Sequence, residues 1–308
     1  MVVGPERIGV LSQPTNDQVE ALDIMRALDP EVVDAVWAAV EPLVPRQQSE
    51  SHPLGCHRPR ISDRVCFEAM LIRLVTGCSW VDAERLIGGA VSDTTLRGRR
   101  DEWEEVGVIA AVAEEALRAY DKIIGLDLTE AAVDGSVHKA PMGGEGTGKS
   151  PVDRGKSGWK WSLLTDRAGI PIGWSTDGAN RHDTVLFPST LEEGKKRGLL
   201  LDIETLHLDR GYDSAAVRTL CAESDIDDVV CAKNRRNKVR WGVVAKPIAV
   251  PLGMRWPVER TNSWLSNYGQ LRRNTDRKVA HRLTQLALAV ILLITAKLID
   301  WRNRWSPA

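Results

Sequence analysis

The chain has 308 residues, of which 43% are hydrophobic, and a formal net charge of −1. This composition excludes a disordered or fibrous chain and suffices for one catalytic domain with a smaller helical one. The near-neutral total argues against a nucleic-acid partner only until the charges are located along the chain. Lys and Arg outnumber Asp and Glu by 13 to 2 over residues 233–282, whereas residues 1–57 hold 3 against 9. The total therefore hides a basic segment of the kind that contacts a phosphate backbone.

Cysteine usage and hydropathy indicate the compartment. The cysteines are odd in number and scattered, and no signal peptide precedes them: Cys56, Cys66, Cys78, Cys221 and Cys231. Reduced thiols in a cytoplasm are therefore expected rather than disulfides. The long apolar run at residues 286–294 is too short to span a bilayer and predicts a buried core helix. We expect no membrane partner.

The N-terminal segment, residues 1–57, contains helices and a linker. Residues 16–28 have a helical pattern, and a second helix is predicted from Pro30 to about residue 44, with Asp29 as its N-cap. Residues 46–60 are polar and contain proline, which predicts a linker.

Residues 58–125 are predicted to form an all-helical domain. Helices are expected at residues 63–75, 80–86 and 93–105, separated by Gly77 and by a Gly-Gly turn, and an acidic helix follows at 108–125. This layout is typical of a helix-turn-helix, whose last helix enters the major groove of DNA. A helical bundle with a solvated basic face explains the same pattern. The last helix carries Arg97, Arg99 and Arg100.

Residues 126–308 alternate between strand and helix patterns. Residues 160–165 and 170–176 predict a hairpin with Gly169 in its turn, and further strands are predicted at 205–208 and 228–231. The order of elements predicts an α/β (α+β) fold with a mixed sheet flanked by helices. Asp183 is expected to cap the helix that follows the hairpin. Residues 233–255 form a basic segment expected to lie over DNA or to be a disordered loop.

Three acids stand at positions suited to chemistry. Asp134 and Asp209 each follow an alternating apolar run and precede a glycine, which predicts strand ends that turn into a cleft. Glu259 follows Pro257, which places it in the first turn of a helix, where the helix dipole favours the ionised carboxylate. Three ionised oxygen ligands suit Mg²⁺. Asp-Gly and Asp-Arg-Gly are also common surface turns, so spacing alone leaves both interpretations open.

At these residues the chain resembles the DDE transposases of the bacterial insertion-sequence-five group. The resemblance runs from about Trp37 to the end and rests on the order of its segments, with 75 residues between the first two acids and 50 between the last two. It includes Ala-Asn-Arg-His-Asp at 179–183, Asp-Arg-Gly-Tyr at 209–212 and Glu-Arg at 259–260. In the related signature Tyr, Arg, Glu, Lys, only Arg255 and Glu259 are kept, because Leu252 and Ser266 stand at the other two positions.

The resemblance implies a ribonuclease H-like catalytic domain after an N-terminal helix-turn-helix-like domain. It implies catalysis by Asp134, Asp209 and Glu259, which would hold two Mg²⁺ ions, with Mn²⁺ as a substitute. The expected partners are double-stranded DNA, as terminal inverted repeats and as target, and further copies of the chain in a dimer or larger assembly at the bacterial nucleoid. Lys160, Arg255 and Arg260 are the candidates for phosphate contacts near the site.

Two other functions stay open at this stage. A stand-alone metal-dependent nuclease would use the same acids without joining strands. A catalytically inactive DNA-binding regulator derived from a transposase would use only the helical domain.

Two further motifs are weaker. Residues 143–150 match the spacing of a nucleotide-binding phosphate loop, but no apolar strand leads into them and Pro151 follows them, so we expect no nucleotide cofactor. His52, Cys56, His57 and Cys66 include no Cys-x-x-Cys pair and flank a proline-containing linker, which argues against zinc.

Overall fold

The computed structural model describes residues 26–45, 60–231 and 254–305. The predicted N-terminal helix, the linker and the basic segment at 233–255 lie almost entirely outside the described residues. The described parts of these segments include a short 3-10 helix, Arg26–Leu28, and Arg255.

The predicted caps begin the helices of the N-terminal half. The side chain of Asp29 accepts a hydrogen bond from the amide of Glu31, and Ser92 accepts one from the amide of Thr95. Gly77 ends its helix with a left-handed φ of 75°. These signals are local, so they can be recognised in the sequence without knowing the fold. The helices are α1 (Pro30–Val40), α2 (Asp63–Thr76), α3 (Trp80–Leu86), α4 (Asp93–Glu105) and α5 (Val108–Ile123).

The second half is built on a mixed sheet. Its strands are β1 (Glu130–Lys139), β2 (Gly148–Lys149), β3 (Ser157–Thr165), β4 (Pro171–Gly178), β5 (Thr205–Leu208) and β6 (Asp228–Val230). They are arranged as β4-β3-β1-β5-β6, and β2 pairs with one end of β3. The β1–β3 and β3–β4 pairs are antiparallel, whereas β5 and β6 are parallel to β1 and to each other. This is the strand order of the ribonuclease H type, as predicted.

Helices flank the sheet and its edge. They are α6 (Asp183–Lys196), α7 (Ala215–Ala222), α8 (Trp256–Ser266), α9 (Gly269–Arg272) and α10 (Val279–Trp305). Helix α10 packs against α1 and α5. It is long and apolar enough to cross a membrane, but 61% of its most apolar window is buried inside the protein. The residues from Leu286 to Leu292 are all buried, which confirms the predicted core helix.

Apolar packing continues from the helical region into the sheet. One core contains Val32 of α1, Trp103 of α4, Trp161 of β3 and Leu286 of α10. A smaller cluster that includes Cys66, Trp80 and Leu96 holds α2, α3 and α4 together. The core continues across residue 125, so burial marks no domain boundary at that position. The predicted division into two domains there stays a prediction.

Three local predictions are corrected by the structure. Asp134 does not end a strand, because β1 continues to Lys139. Gly135 is not a turn residue: a Cβ there would lie 2.3 Å from the Asp183 carboxylate, so glycine leaves room for that side chain. Helix α6 is capped by His182 rather than by Asp183, which is its first residue.

Residues 143–150, which have the spacing of a phosphate loop, pack against β3 and the start of α10. Lys149 lies in β2 opposite Ser157, and the amide of Glu145 donates to the carbonyl of Arg277 at 2.8 Å. The segment is thus fixed against the start of α10, and no helix follows its Lys-Ser pair.

We predict that Gly269→Ala lowers the free energy of unfolding by about 1–3 kcal/mol, the cost of overpacking. A Cβ at Gly269 would lie 2.4 Å from the amide nitrogen of Gly77, where α2 and α9 meet backbone to backbone. Urea unfolding measures the change.

Gly98→Ala is the matched control. Gly98 lies inside α4 and a Cβ there meets nothing within 4 Å. It should stabilise the protein by up to about 1 kcal/mol, through helix propensity alone. Equal effects of the two substitutions would show that the α2–α9 contact does not limit stability.

Candidate active site

The sheet register brings the first two acids together. Val133 of β1 pairs with Leu208 of β5 in a parallel ladder. Asp134 and Asp209 directly follow this pair along the chain, so the two residues lie side by side. Strand β5 ends at Leu208, and Asp209 accepts a hydrogen bond from the amide of Arg210 at 2.6 Å. Parallel pairing therefore positions two carboxylates that are distant in the sequence.

Arg255 joins the second acid to the third. One of its guanidinium nitrogens lies 2.9 Å from Asp209 Oδ1 and the other lies 2.7 Å from Glu259 Oε1. Glu259 lies in the first turn of α8, as predicted. Both acids are half exposed, so the ion pairs lie at the protein surface. One cation thus holds two carboxylates at the same place.

Asp134 is more buried than its two partners. Loss of hydration raises the pKa of its carboxyl group from 3.8 to about 6, and the negative charge of Glu259 acts in the same direction. The amide of Gly135, the charge of Arg255 and the side chain of Asn262 lower it. Burial is the largest of these influences. Among the described residues, Arg255 is the cation whose charge lowers the pKa of Asp134, and its effect is smaller than that of burial.

Asn262 holds the Asp134 carboxylate in position. Its Nδ2 donates to Asp134 Oδ2 at 3.1 Å, and its Oδ1 accepts from Nε1 of Trp161 at 2.7 Å. The indole N–H can only donate, so it fixes which end of the amide faces Asp134. Trp161 and Asn262 are both buried. Sequence analysis missed this residue, although Asn262 is three positions after Glu259 and so shares its helix face.

Helix α8 is attached to the turn of the β3–β4 hairpin. Thr261 Oγ1 donates to the carbonyl of Gly169 at 2.6 Å, and Arg260 donates to the carbonyl of Ala168 at 2.6 Å. The Arg260 guanidinium also lies between the rings of Trp256 and Trp264, about 4.5 Å from each centroid. Arg260 was predicted to contact phosphate. That role stays a prediction, and the contacts of Arg260 explain how Glu259 is held over the sheet.

Lys160, which was predicted to contact phosphate, lies in a buried ion pair. Its ammonium group lies 2.8 Å from Asp183 Oδ1 and donates to the carbonyl of Arg181 at 2.9 Å. The side chain is 7% exposed. This pairing fixes the start of α6 against β3. The predicted contact of Lys160 with phosphate stays a prediction.

The arginines of α4 differ in their surroundings. Arg97 is half exposed and pairs with Asp93 of the same helix at 2.8 Å. Arg99 is 6% exposed and pairs with Glu102 at 3.1 Å and with Asp63. Arg100 pairs with Asp276 at 3.0 Å and lies over the ring of Trp80. The predicted basic face is therefore reduced to Arg97, because the other two arginines hold α4 in place.

The three acids fit a hard divalent cation. Their donor atoms are all carboxylate oxygens, and a positive charge already stands between two of them. Within residues 26–45, 60–231 and 254–305, no three His, Cys, Asp or Glu side chains are close enough together to hold a metal ion as they stand. The Arg255 guanidinium stands between Asp209 and Glu259 where a cation would lie, which explains their separation.

Two family models match the chain. One, described as a putative transposase of the IS4/5 family, matches residues 32–113. The other, described as a transposase DDE domain, matches residues 126–294, which is more than half of the chain. The chain belongs to the DDE transposase family. All three acids fall inside the matched DDE domain, and the resemblance inferred from the sequence is confirmed.

Two similar proteins come from Burkholderia cepacia, and a solved transposase structure also aligns with the chain. A putative transposase for insertion sequence element IS402 is 31% identical over 137 residues, which cover 43% of this chain and 60% of that relative. An uncharacterized 16.2 kDa protein of element IS402 is 33% identical over 127 residues, covering 40% of this chain and 82% of its own length. The Mos1 transposase paired-end complex with the left transposon end aligns over 70% of this chain and 78% of its own, with 13% identity and a TM-score of 0.23.

The buried carboxyl group of Asp134 predicts a pH dependence. Its pKa is raised in the folded protein, so folding favours the protonated form, and this contribution to stability is present below pH 4 and lost as the pH rises through about 6. Without divalent metal, Asp134→Asn should therefore be more stable than the wild type at pH 8, by up to about 3 kcal/mol. The difference should disappear as the pH falls to 4.

Urea unfolding of both proteins between pH 4 and 8 measures this difference. Asp166 is buried and its pKa is also raised to about 6, but it contributes equally to both proteins and cancels. Mg²⁺ should stabilise the wild type at pH 8 and have less effect on the variant. A stability difference that is constant with pH would mean that Asp134 is ionised throughout.

Proposed function

We propose that this protein is a DNA transposase that binds the terminal inverted repeats of an insertion sequence and catalyses strand cleavage and strand transfer. The observation that carries the proposal is the convergence of Asp134, Asp209 and Glu259 around the guanidinium of Arg255, within a DDE domain. The acids come from two neighbouring strands and from a helix attached to a hairpin, so the site is built on regular elements rather than on loops.

We further propose that the acids hold two Mg²⁺ ions, for which Mn²⁺ can substitute. Asp134, Asp209 and Glu259 would supply the carboxylate oxygens that hold these ions. Such ions supply charge that activates an attacking oxygen and stabilises the leaving one. Asn262 would keep one oxygen of Asp134 occupied, which leaves the other to face the cleft.

The reaction consists of two phosphoryl transfers at the same site. In the first, water attacks a phosphorus atom at the element end, and the bond to the 3′ oxygen breaks, releasing a 3′-hydroxyl. In the second, that hydroxyl attacks a phosphorus atom of target DNA, whose own 3′ oxygen leaves. Arg255 is the residue placed to contact the reacting phosphate once its carboxylate partners are neutralised.

Binding and assembly follow from the same proposal. The α2–α4 region would contact the terminal repeat through the exposed face of α4, where Arg97 lies. Both element ends must be held together before joining, so we infer a dimer or a larger assembly on DNA. The substrate is chromosomal, which places the activity at the bacterial nucleoid.

Asp209→Asn should abolish cleavage and leave binding to the terminal repeat unchanged. The change removes a negative charge from the site without altering the size of the side chain. Purified protein is incubated with Mg²⁺ and the DNA flanking its own gene, and cut and joined ends are mapped.

Each outcome of that mapping has one meaning. Discrete cuts with joined products, both lost in the variant, support the transposase. Cuts without joined products indicate a stand-alone nuclease. Specific binding without any cutting indicates a DNA-binding regulator, and cutting that survives in the variant removes Asp209 from the site.

Arg97→Ala should weaken binding to the terminal repeat several-fold, because Arg97 is the member of the predicted set that α4 presents to solvent. Arg118→Ala, a similarly exposed arginine on α5, is the control. Fluorescence anisotropy with repeat DNA measures both. Unchanged affinity in Arg97→Ala would show that this face of α4 does not contact the repeat.

A further inference from the structure

A cluster of cations lies at the end of the strand that carries Asp134. Lys139, the last residue of β1, forms a parallel bridge with Arg273, and the amide of Asn274 donates to the carbonyl of Lys139 at 2.8 Å. Directly paired strand residues project their side chains to the same side. The fold therefore places two exposed positive charges next to each other, an arrangement that destabilises a protein unless an anion compensates it.

These two cations line a pocket of about 430 Å³. Arg272, Ser150 and Asp153 contribute to its wall. Asp153 is the acid among the lining residues, and its carboxylate is 4.0 Å from the Lys139 ammonium, which is the limit of an ion pair. The Ser150 side chain is 3% exposed, and its hydroxyl has no hydrogen-bond partner among the described residues. Positive charge thus exceeds negative charge in a polar cavity.

The surface around this pocket is also basic. The side chains of Arg272, Arg273 and Arg277 have no ion pair or hydrogen bond within the described part of the chain. The same holds for Lys149 and Lys156 near β2. The arginines of α4, by contrast, are all paired with acids. Cations without acid partners give a surface the potential that attracts a polyanion.

The pocket has a defined position relative to the three acids. Lys139 follows Asp134 by five residues on β1, which corresponds to about 17 Å of extended strand. Strand β5 ends beside Val133, so within the described residues β1 has no strand partner on that side from Asp134 until the bridge to Arg273. Asp134 and Lys139 are five residues apart on one strand, so their side chains project to opposite faces of the sheet. A DNA strand that contacts both would have to pass around this edge of β1.

We propose that Lys139, Arg273 and Arg272 bind a phosphate of the DNA backbone, several nucleotides from the phosphate that is cleaved. The Ser150 hydroxyl is placed to donate to the same anion if its side chain turns into the pocket. This assignment rests on the proposed function, because it takes DNA as the source of the phosphate. Its role is to set the register of the strand that enters the active site.

The test compares the wild type with the double variant Lys139→Ala/Arg273→Ala. Affinity for repeat DNA and for unrelated DNA is measured by fluorescence anisotropy at several salt concentrations. Loss of one phosphate contact should reduce the slope of log affinity against log salt by about one, and should weaken both complexes roughly tenfold at low salt. The loss should be equal for the two DNAs, since the contact reads no base.

Three controls isolate the pocket. Arg118→Ala/Lys196→Ala removes two exposed cations that are paired with acids elsewhere, and should leave the slope unchanged. Lys139→Arg/Arg273→Lys keeps both charges and should retain the wild-type slope. Thermal melting of each variant checks that it is folded, and both pocket residues are exposed.

Neutralising single DNA phosphates identifies the contact. A set of repeat DNAs is made, each with one methylphosphonate. At one position the neutral linkage should weaken binding by the wild type and have no effect on Lys139→Ala/Arg273→Ala. Equal losses in both proteins at every position, or an unchanged salt slope, would overturn the proposal while leaving the transposase assignment intact.

Two further outcomes separate the claims. If inorganic phosphate raises the melting temperature of the wild type but not of the double variant, and the DNA slope is unchanged, the pocket binds a free anion and the DNA assignment is overturned. If the pocket variant weakens DNA binding but the wild type neither cuts nor joins DNA, the phosphate site stands and the proposed catalysis fails.

Discussion

Compensation of negative charge around Asp134 is the constraint on which the rest of the site depends. Two more carboxylates, those of Asp209 and Glu259, lie near this buried carboxyl group, and the guanidinium of Arg255 pairs with both. Clustered carboxylates repel one another unless protons, cations or hydrogen bonds compensate them. The structure uses all three: a raised pKa on Asp134, the Arg255 ion pairs and the Asn262 amide. A site compensated in this way is prepared to exchange its internal cation for an external one.

The architecture supports that arrangement through long-range contacts. Parallel pairing of β1 with β5 fixes two of the acids, and the hydrogen bonds from α8 to the hairpin turn fix the third. Helix α10 connects the helical region to the sheet, and Asp276 just before it binds both Arg73 and Arg100. The region proposed to bind the repeat and the region proposed to cut it are therefore joined by buried ion pairs rather than by a loose linker.

The sequence predicted the elements better than it predicted their surroundings. Asp209 was placed correctly because an apolar strand followed by a turn is a local pattern. Asp134 was misplaced at a strand end because Asp-Gly is a common turn signal, and the reason for Gly135, its contact with Asp183, lies 48 residues further along the chain. Lys160, Arg99 and Arg100 were taken for surface cations, since each has an acid partner that is distant in the sequence: Asp183, Asp63 and Asp276, respectively. The bridging role of Asn262 depends on Trp161, a contact across 101 positions.

The most direct test of the central claim is a crystal structure of the protein grown with Mn²⁺, in which anomalous scattering locates the metal. Our account predicts Mn²⁺ bound by Asp134, Asp209 and Glu259, with the Arg255 guanidinium displaced from at least one of its two carboxylates. A crystal of the Asp209→Asn variant, grown under the same conditions, should show little or no Mn²⁺ at this site. An unchanged Arg255 bridge at saturating Mn²⁺, or metal bound only elsewhere, would contradict the account.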